Sequence, residues 1–336
     1  MLPIAIDAMG GDDAPRSIVE GVGEALDLLP RLEDLLLVGR MEVMKAELDR
    51  IGKLGHPKIH LVHAEQVVEM HESPAATVRA KRNSSIAICA DLVKKGEASA
   101  VVSAGNTGAA VASAVLKIRT LKGVERPGIA TVIPAPTGTF LLLDAGANVD
   151  CKPLHLIHYA IMGDIYAREI LGVSSPRVGL LNVGNEEGKG NELVKVVHKT
   201  MTGLKGINYV GNIEGNDLFK HGADVVVCDG FVGNVVLKVC ESLAGAFGTY
   251  LKGLLKKNPV RMTGAVLARG AFEEFKGLTD TDQHGGALLL GINAPFVIAH
   301  GASSPRAVRN AIRVARESVA HHLTDMIIER IQELRT

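Results

Sequence analysis

The chain has no tryptophan, and Phe, Tyr and Trp together make up 3% of its 336 residues. Aromatic platforms for stacking nucleobases are therefore not expected. Cysteine is nearly as scarce. Cys89, Cys151, Cys228 and Cys240 show neither CxxC spacing nor a Cys/His metal pattern, so they are expected to be buried, inert thiols, with no metal site. Excess charge is missing as well. The 37 Lys and Arg balance 37 Asp and Glu, which leaves no electrostatic case for nucleic acid. No charged leader and no apolar run of the ~20 residues a bilayer span needs is evident, so a cytoplasmic protein is expected. GxSxG, HExxH and Walker loops are lacking too, which argues against a covalent serine mechanism, a zinc peptidase or a P-loop enzyme.

What the chain does have is a 47% apolar content arranged in short β-branched runs that alternate with helical patterns. Strands are expected at residues 4–7, 35–38, 59–62, 100–103, 129–133, 140–144, 178–182, 208–210, 225–228 and 294–299, with amphipathic stretches between them. That alternation predicts a three-layer αβα fold around a mainly parallel, Rossmann-like sheet. Residues 1–336 are read as a single α/β domain, with two lobes as an option.

The turns that follow the strands are more informative. Six are rich in Gly, Asn and Asp: "DAMGGDD", "SAGNTGA", "DAGANVD", "NVGNEEGKGNE", "GNIEGND" and "CDGFVGN". In a parallel sheet all six lie at the carboxyl edge and build one cleft. Tight turning explains the glycines but not the recurring Asn and Asp.

Within that cleft, Asn106, Thr107 and Gly108 form the best anion cradle, at a helix start where free N–H groups attract phosphate. Helix capping by Asn106 or Thr107 is the plainer alternative. Lys189, between two glycines and just after Asn185 and Glu186, suits a cationic clamp; a solvated loop lysine is the alternative. Arg82, with Arg79 and Lys81, precedes a helix and would meet phosphate or an acidic partner protein; a solvated face is the equal alternative. Asp229, Gly230 and Asn234 sit between a strand and a helix, where Asp229 would orient a nucleophile or accept a proton and Asn234 would donate to an oxygen; simple turn chemistry is the equal alternative. Asn148 belongs to the same group of turn polars. The acids of the first turn serve architecture: Asp7 forms the cleft floor, Gly10 and Gly11 allow the fold-back, and Asp12 or Asp13 caps the next helix.

"IAIDAMGGDDAP", "SAGNTGA", "RPGIATVIP", "LLLDAGANVD", "SPRVGLLNVGNEEGKGNEL", "ADVVVCDGFVGNVVLK" and "GGALLLGINAPFVIAHG" occur in this order. Together they resemble the bacterial phosphate acyltransferase family, the PlsX family, from about residue 3 to about residue 325. The resemblance implies a fold of the isocitrate/isopropylmalate dehydrogenase-like type, related also to phosphotransacetylase, in a homodimer. It implies the reaction of fatty acyl-[acyl carrier protein] with inorganic phosphate to give acyl phosphate, which a membrane glycerol-3-phosphate acyltransferase consumes. No cofactor is implied; the phosphopantetheine arm belongs to the carrier protein. On this reading Lys189, Asp229 and Asn234 are the catalytic candidates. Asp7, Gly10, Gly11, Asn106, Thr107, Gly108, Asn148, Asn185, Glu186, Gly230 and Arg82 are the substrate-binding candidates. Two alternatives are a phosphotransacetylase-like transfer from acyl-CoA and an NAD-dependent decarboxylating dehydrogenase of the same fold. The dehydrogenase needs a Mg²⁺-binding aspartate cluster and an Arg-rich carboxylate pocket, and the sequence offers no convincing version of either.

Residues 247–276 differ from the rest. Leu251, Leu254 and Leu255 share a helical face with Phe247 and Tyr250, beside Lys256 and Lys257. A helical extension at 241–277 is expected, as a protruding amphipathic pair facing an anionic membrane, a second subunit or the acyl carrier protein.

Overall fold

The computed structural model describes residues 1–136, 138–279 and 281–333; positions 334–336 of the expected domain lie outside them. Among the described residues, eleven strands form one sheet. They are β1 (Ile4–Asp7), β2 (Leu35–Gly39), β3 (Ile59–His63), β4 (Ala100–Ser103), β5 (Gly128–Ala135), β6 (Gly138–Leu143), β7 (Arg177–Asn182), β8 (Asn208–Glu214), β9 (Val225–Val227), β10 (Ala287–Leu290) and β11 (Phe296–Ile298). The α-helices are α1 (Arg16–Leu28), α2 (Met41–Arg50), α3 (Pro74–Ala80), α4 (Ser85–Lys94), α5 (Thr107–Ser113), α6 (Pro153–Glu169), α7 (Glu192–Thr202), α8 (Gly230–Leu255), α9 (Pro259–Leu267), α10 (Arg269–Thr279), α11 (Pro305–Ala320) and α12 (Leu323–Glu333).

The strands are apolar on both sides, and their alternation feeds two cores. Ile4 and Ile6 of β1 belong to the core on one face, which is completed along the sheet by side chains of α1, α2, α6, α7, α11 and α12. Ala5 points to the other face, with Val78 of α3, Ile86 of α4, Ala109 of α5 and the start of α8. Period-two side-chain direction thus places a helical layer on each face.

Strand order is β3-β2-β1-β4-β11-β10-β5-β6-β9-β7-β8. β3, β2, β1, β4 and β11 run parallel to one another. β10 is antiparallel to both β11 and β5, and β6 is antiparallel to β5. β9, β7 and β8 then follow β6 in parallel. The β6–β9–β7–β8 block therefore runs against the β1–β4 block. This corrects the expectation of one carboxyl edge. The reason is covalent: residues 136 and 137 alone separate β5 from β6, whereas a parallel return needs about a dozen residues or more. The same limit makes β10 and β11 antiparallel; β10 was not among the expected strands.

A staple ties β7 to β9. Asp224 accepts from Arg177 Nε at 3.1 Å, from its Nη2 at 3.0 Å and from its main-chain N–H at 2.8 Å.

α8 begins inside the fold, where Gly230 and Gly233 are buried, and residues 241–254 are exposed. By length and composition alone, α8 is long and apolar enough to cross a bilayer, which corrects the expectation that no such run is present; scattered Gly, Ser and charged residues interrupt its apolar positions in the sequence.

Candidate functional site

At the first edge, β1, β4 and β11 end side by side. The Asp12 N–H donates to Gly301 O at 2.8 Å and the Ala299 N–H to Ser103 O at 2.9 Å. Asp7 is buried and accepts the Ser103 hydroxyl at 2.7 Å and the Met9 N–H at 3.2 Å, with the Ser85 hydroxyl bonded to it as well. Burial pushes this carboxyl above its ordinary pKa, against the pull of those donors. Ser85 opens α4, whose positive end favours a negative charge there. Gly10 is needed for close approach: a Cβ on it would lie 2.6 Å from the Gly105 nitrogen. Gly11 turns beside Gly301. Neither Asp12 nor Asp13 caps α1, which corrects the expected cap. Pro15 occupies the cap position without a side-chain bond.

The Asn106–Gly108 turn is not an open cradle. Asn106 Oδ1 accepts from the Ala109 N–H at 3.0 Å, and Nδ2 donates to Met70 O at 2.8 Å and Glu72 O at 3.3 Å. Its whole amide is spent within the fold. Gly108 packs directly on Pro74, while Thr107 stays exposed. The Oδ1 bond is the helix cap that the sequence offered as the plainer alternative. Arg82 is exposed in the turn before α4.

At the second edge, β6, β9, β7 and β8 end together. Asp144 is fully buried and accepts N–H groups from Ile129 (3.0 Å), Gly146 (2.9 Å), Ala147 (2.8 Å) and Asn148 (2.8 Å). Burial raises its pKa against those four donors. Asn148 is anchored too: its Nδ2 donates to Pro127 O at 2.5 Å and to the Tyr159 hydroxyl at 2.9 Å, and its carbonyl accepts the Gly230 N–H at 2.8 Å. Its side chain is a strut between turns. Gly230 is likewise buried in this seam. Cys151, next to it, has its thiol pushed up to about 11 by burial. That leaves it protonated near neutrality and unfit as a nucleophile.

The remaining candidates of this edge lie in the Lys189 loop and at the start of α8. Lys189 is exposed; its stem lies over Gly184, and its carbonyl accepts from Asn182 Nδ2 at 3.2 Å. Asn185 and Glu186 are exposed in the same loop. Asn234 is exposed one turn into α8, with its Cβ 3.5 Å from where a Cβ on Gly146 would stand. Asp229 caps α8, with Oδ1 accepting the Val232 N–H at 2.9 Å.

The register thus divides the site residues. Lys189, Asp229, Asn234, Asn148, Asn185, Glu186 and Gly230 belong to the second edge; Asp7, Gly10, Gly11, Asn106, Thr107, Gly108 and Arg82 belong to the first. The single cleft expected from six turns is replaced by two clusters.

The family described as "Fatty acid synthesis protein" matches residues 2–326 of the chain. The chain belongs to this family. It is 50% identical over 333 residues to the phosphate acyltransferase of Pelotomaculum thermopropionicum, covering 99% of this chain and 96% of that relative. It is 47% identical over 340 residues to the phosphate acyltransferase of Akkermansia muciniphila, covering 100% and 97%. Among solved structures, a phosphotransacetylase from Streptococcus pyogenes superposes with a TM-score of 0.63 at 15% identity, over 95% of this chain and 94% of that one. A branched-chain phosphotransacylase from Enterococcus faecalis gives 0.60 at 18% identity, over 96% and 100%. At such identities the likeness shows the fold: α/β, with a large, mostly parallel sheet.

Two features escaped the sequence reading. The His300–Ser304 turn closes over Gly11 and Asp12 at the first edge; "IAHG" after a strand was its signal. Asn212, inside "VGNIEG", is buried beneath the Lys189 loop and donates through Nδ2 to Glu186 O at 3.2 Å. By sequence it falls in the "GNIEGND" turn, whereas β8 runs on through Glu214 and carries Asn212 as a strand residue, which corrects that turn.

Proposed function

We propose that this phosphate acyltransferase converts fatty acyl-[acyl carrier protein] and inorganic phosphate into acyl phosphate and free carrier protein. The observation that carries the reading is near-full-length identity to relatives named phosphate acyltransferase. The second edge supplies suitable groups. Phosphate is itself the nucleophile, so no acyl-enzyme is required, in keeping with the protonated Cys151.

In this mechanism Lys189 neutralises the bound phosphate, and Asn185 and Asn234 donate to phosphate or to the developing oxyanion. Asp229, held by its capping bond, orients the attacking oxygen with its second carboxylate oxygen. Glu186 shapes the loop through its carbonyl. Orientation of the two reactants supplies about 7–11 kcal/mol of the barrier, and each oxyanion donor about 3–4 kcal/mol. The leaving thiolate needs little protonation, which fits a site without an evident acid. No cofactor enters.

We place the enzyme in the cytoplasm as a homodimer in contact with the membrane surface, passing acyl phosphate to a membrane glycerol-3-phosphate acyltransferase in phospholipid synthesis. The exposed apolar and basic surface of α8–α10, including Leu251, Leu254, Lys256 and Lys257, with Leu255 half-buried beside them, supports this placement. We treat residues 241–277 as that extension on a single domain, and the fold as the isocitrate/isopropylmalate dehydrogenase-like type, which two opposed strand blocks suit.

The test is hydroxylamine trapping of acyl phosphate from palmitoyl carrier protein with and without phosphate. Phosphate-dependent hydroxamate is expected. None at saturating phosphate would refute the activity, and a preference for acetyl-CoA would favour the phosphotransacetylase reading.

A further inference from the structure

β8 closes the sheet with β7 on one side and no strand on the other among the described residues. A groove of about 520 Å³ wraps that free edge, from His198 of α7 to the turn at Asp217–Gly222, and reaches Asn185 and Glu187 of the Lys189 loop. This volume lies within the range of small-molecule sites. Asn212, 6% exposed, lines it, and its Oδ1 is buried without a hydrogen-bond partner. The orientation of that amide is set by its other half: Nδ2 donates to the Glu186 carbonyl, so a flipped amide would oppose two oxygens. A buried acceptor left unpaired costs roughly 1–3 kcal/mol, which a bound donor recovers.

The charge of the walls selects the ligand. Lys220 is paired with Asp217 at 3.3 Å, which leaves the Glu187 carboxylate uncompensated. Asn212 Oδ1 and Glu187 are acceptors, and the free edge of β8 presents main-chain N–H as well as C=O groups. The unpaired carboxylate disfavours an anion such as phosphate, whereas a neutral chain of secondary amides, with both N–H and C=O, is suited. Edge strands bind extended amide chains through main-chain hydrogen bonds, and residues 210–213 offer about 10 Å of such edge at ~3.3 Å per residue.

We propose that the free edge of β8, with Asn212 as its buried acceptor, binds a neutral, secondary-amide chain of the pantetheine type and leads the thioester end of the acyl donor to the Lys189 loop. This rests on the acyl-transfer reading above and adds the path of the donor arm to it.

The experiment titrates pantetheine, under reducing conditions, into the full-length ¹⁵N-labelled protein. Saturable shifts are expected at the main-chain amides of residues 209–213 and 185–187, with at least tenfold weaker binding in Asn212→Leu and a smaller loss, about threefold, in Glu187→Gln. Orthophosphate is the comparison titrant. Shifts confined to other regions, unchanged affinity in both variants, or orthophosphate displacing pantetheine from 209–213 would each overturn the proposal. Should Asn212→Leu not fold, Glu187→Gln and the shift map decide it. A kinetic arm compares KM for palmitoyl-pantetheine with that for an amide-free palmitoyl thioester of ethanethiol. Asn212→Leu is expected to raise the first at least tenfold more than the second, and equal changes would overturn the proposal. Pantetheine bound at β8 in a protein that makes no hydroxamate from any thioester would leave the groove standing and remove the acyl-transfer reading instead.

Discussion

The main-chain N–H of Gly230 donates to the carbonyl oxygen of Asn148 at 2.8 Å. This bond joins the turn after β6 to the start of α8, over the buried Asp144. A Cβ on Gly230 would lie 2.6 Å from that carbonyl oxygen and 2.8 Å from Asp144 Oδ2. Neither can retreat, since one is main chain and the other is fixed by four N–H donors. Gly230→Ala is expected to cost about 3 kcal/mol, the upper range for overpacking a tight site. Urea unfolding checks this, and a midpoint equal to the parent would mean that the seam yields.

Lys189 is an exposed cation of the second edge. Lys189→Ala is expected to lower kcat/KM for phosphate on the order of a hundredfold, as for loss of one oxyanion-type donor, with Lys189→Arg recovering part of it. Initial rates of hydroxamate formation at varied phosphate provide the measurement. Parent-like rates in the alanine variant would remove Lys189 from the mechanism.

The Arg177–Asp224 staple carries a pH signature. Burial works to raise the Asp224 pKa, but the bonds from Arg177 outweigh it and hold the carboxyl below its ordinary value of 3.8. A depressed acid contributes stability above the unfolded value and loses it as pH falls through the folded one. Asp224→Asn is therefore expected to cost about 2 kcal/mol at pH 7, with the gap to the parent closing below pH 3.8. Chemical denaturation at several pH values would show it, and a constant gap would contradict it.

On α8, Leu251 and Leu254 are exposed beside Lys252 and Lys256. Replacing both leucines with Glu removes apolar area and opposes anionic lipid, where each basic residue contributes about 1 kcal/mol. Co-sedimentation with phosphatidylglycerol vesicles is expected to vanish while turnover in solution persists. Retained sedimentation would assign this surface to another partner.

Much of the fold was legible because it is local. Runs such as "AVVS" and "VVV" are apolar on both faces and short, so they read directly as buried strands. Glycine and proline mark their ends. β10 was missed because "ALLL" is equally good as helix or strand at that length. The opposed direction of the second strand block was readable in principle from the short β5–β6 link, but it is a property of chain connection rather than of composition.

The candidate site was less legible. Asn106, Asn148 and Asn234 occur in similar Gly/Asn turns, yet the first two are consumed by main-chain groups and the third is free. Side-chain type states what a residue can donate or accept; only its surroundings state whether that capacity is already used.

By itself, then, the sequence determined the three-layer class, most of the element types, and a set of Gly/Asn/Asp turns from which site candidates could be drawn. Hydrophobic periodicity and backbone stereochemistry act over a few residues, so they survive in one dimension. Tertiary structure alone decided which turns share an edge, that Asp7 and Asp144 are sealed by donors, and that Asn212 holds a buried, unpaired oxygen beside an open strand. Those outcomes depend on strand direction and on groups brought together from dozens of residues apart, and no local pattern encodes them.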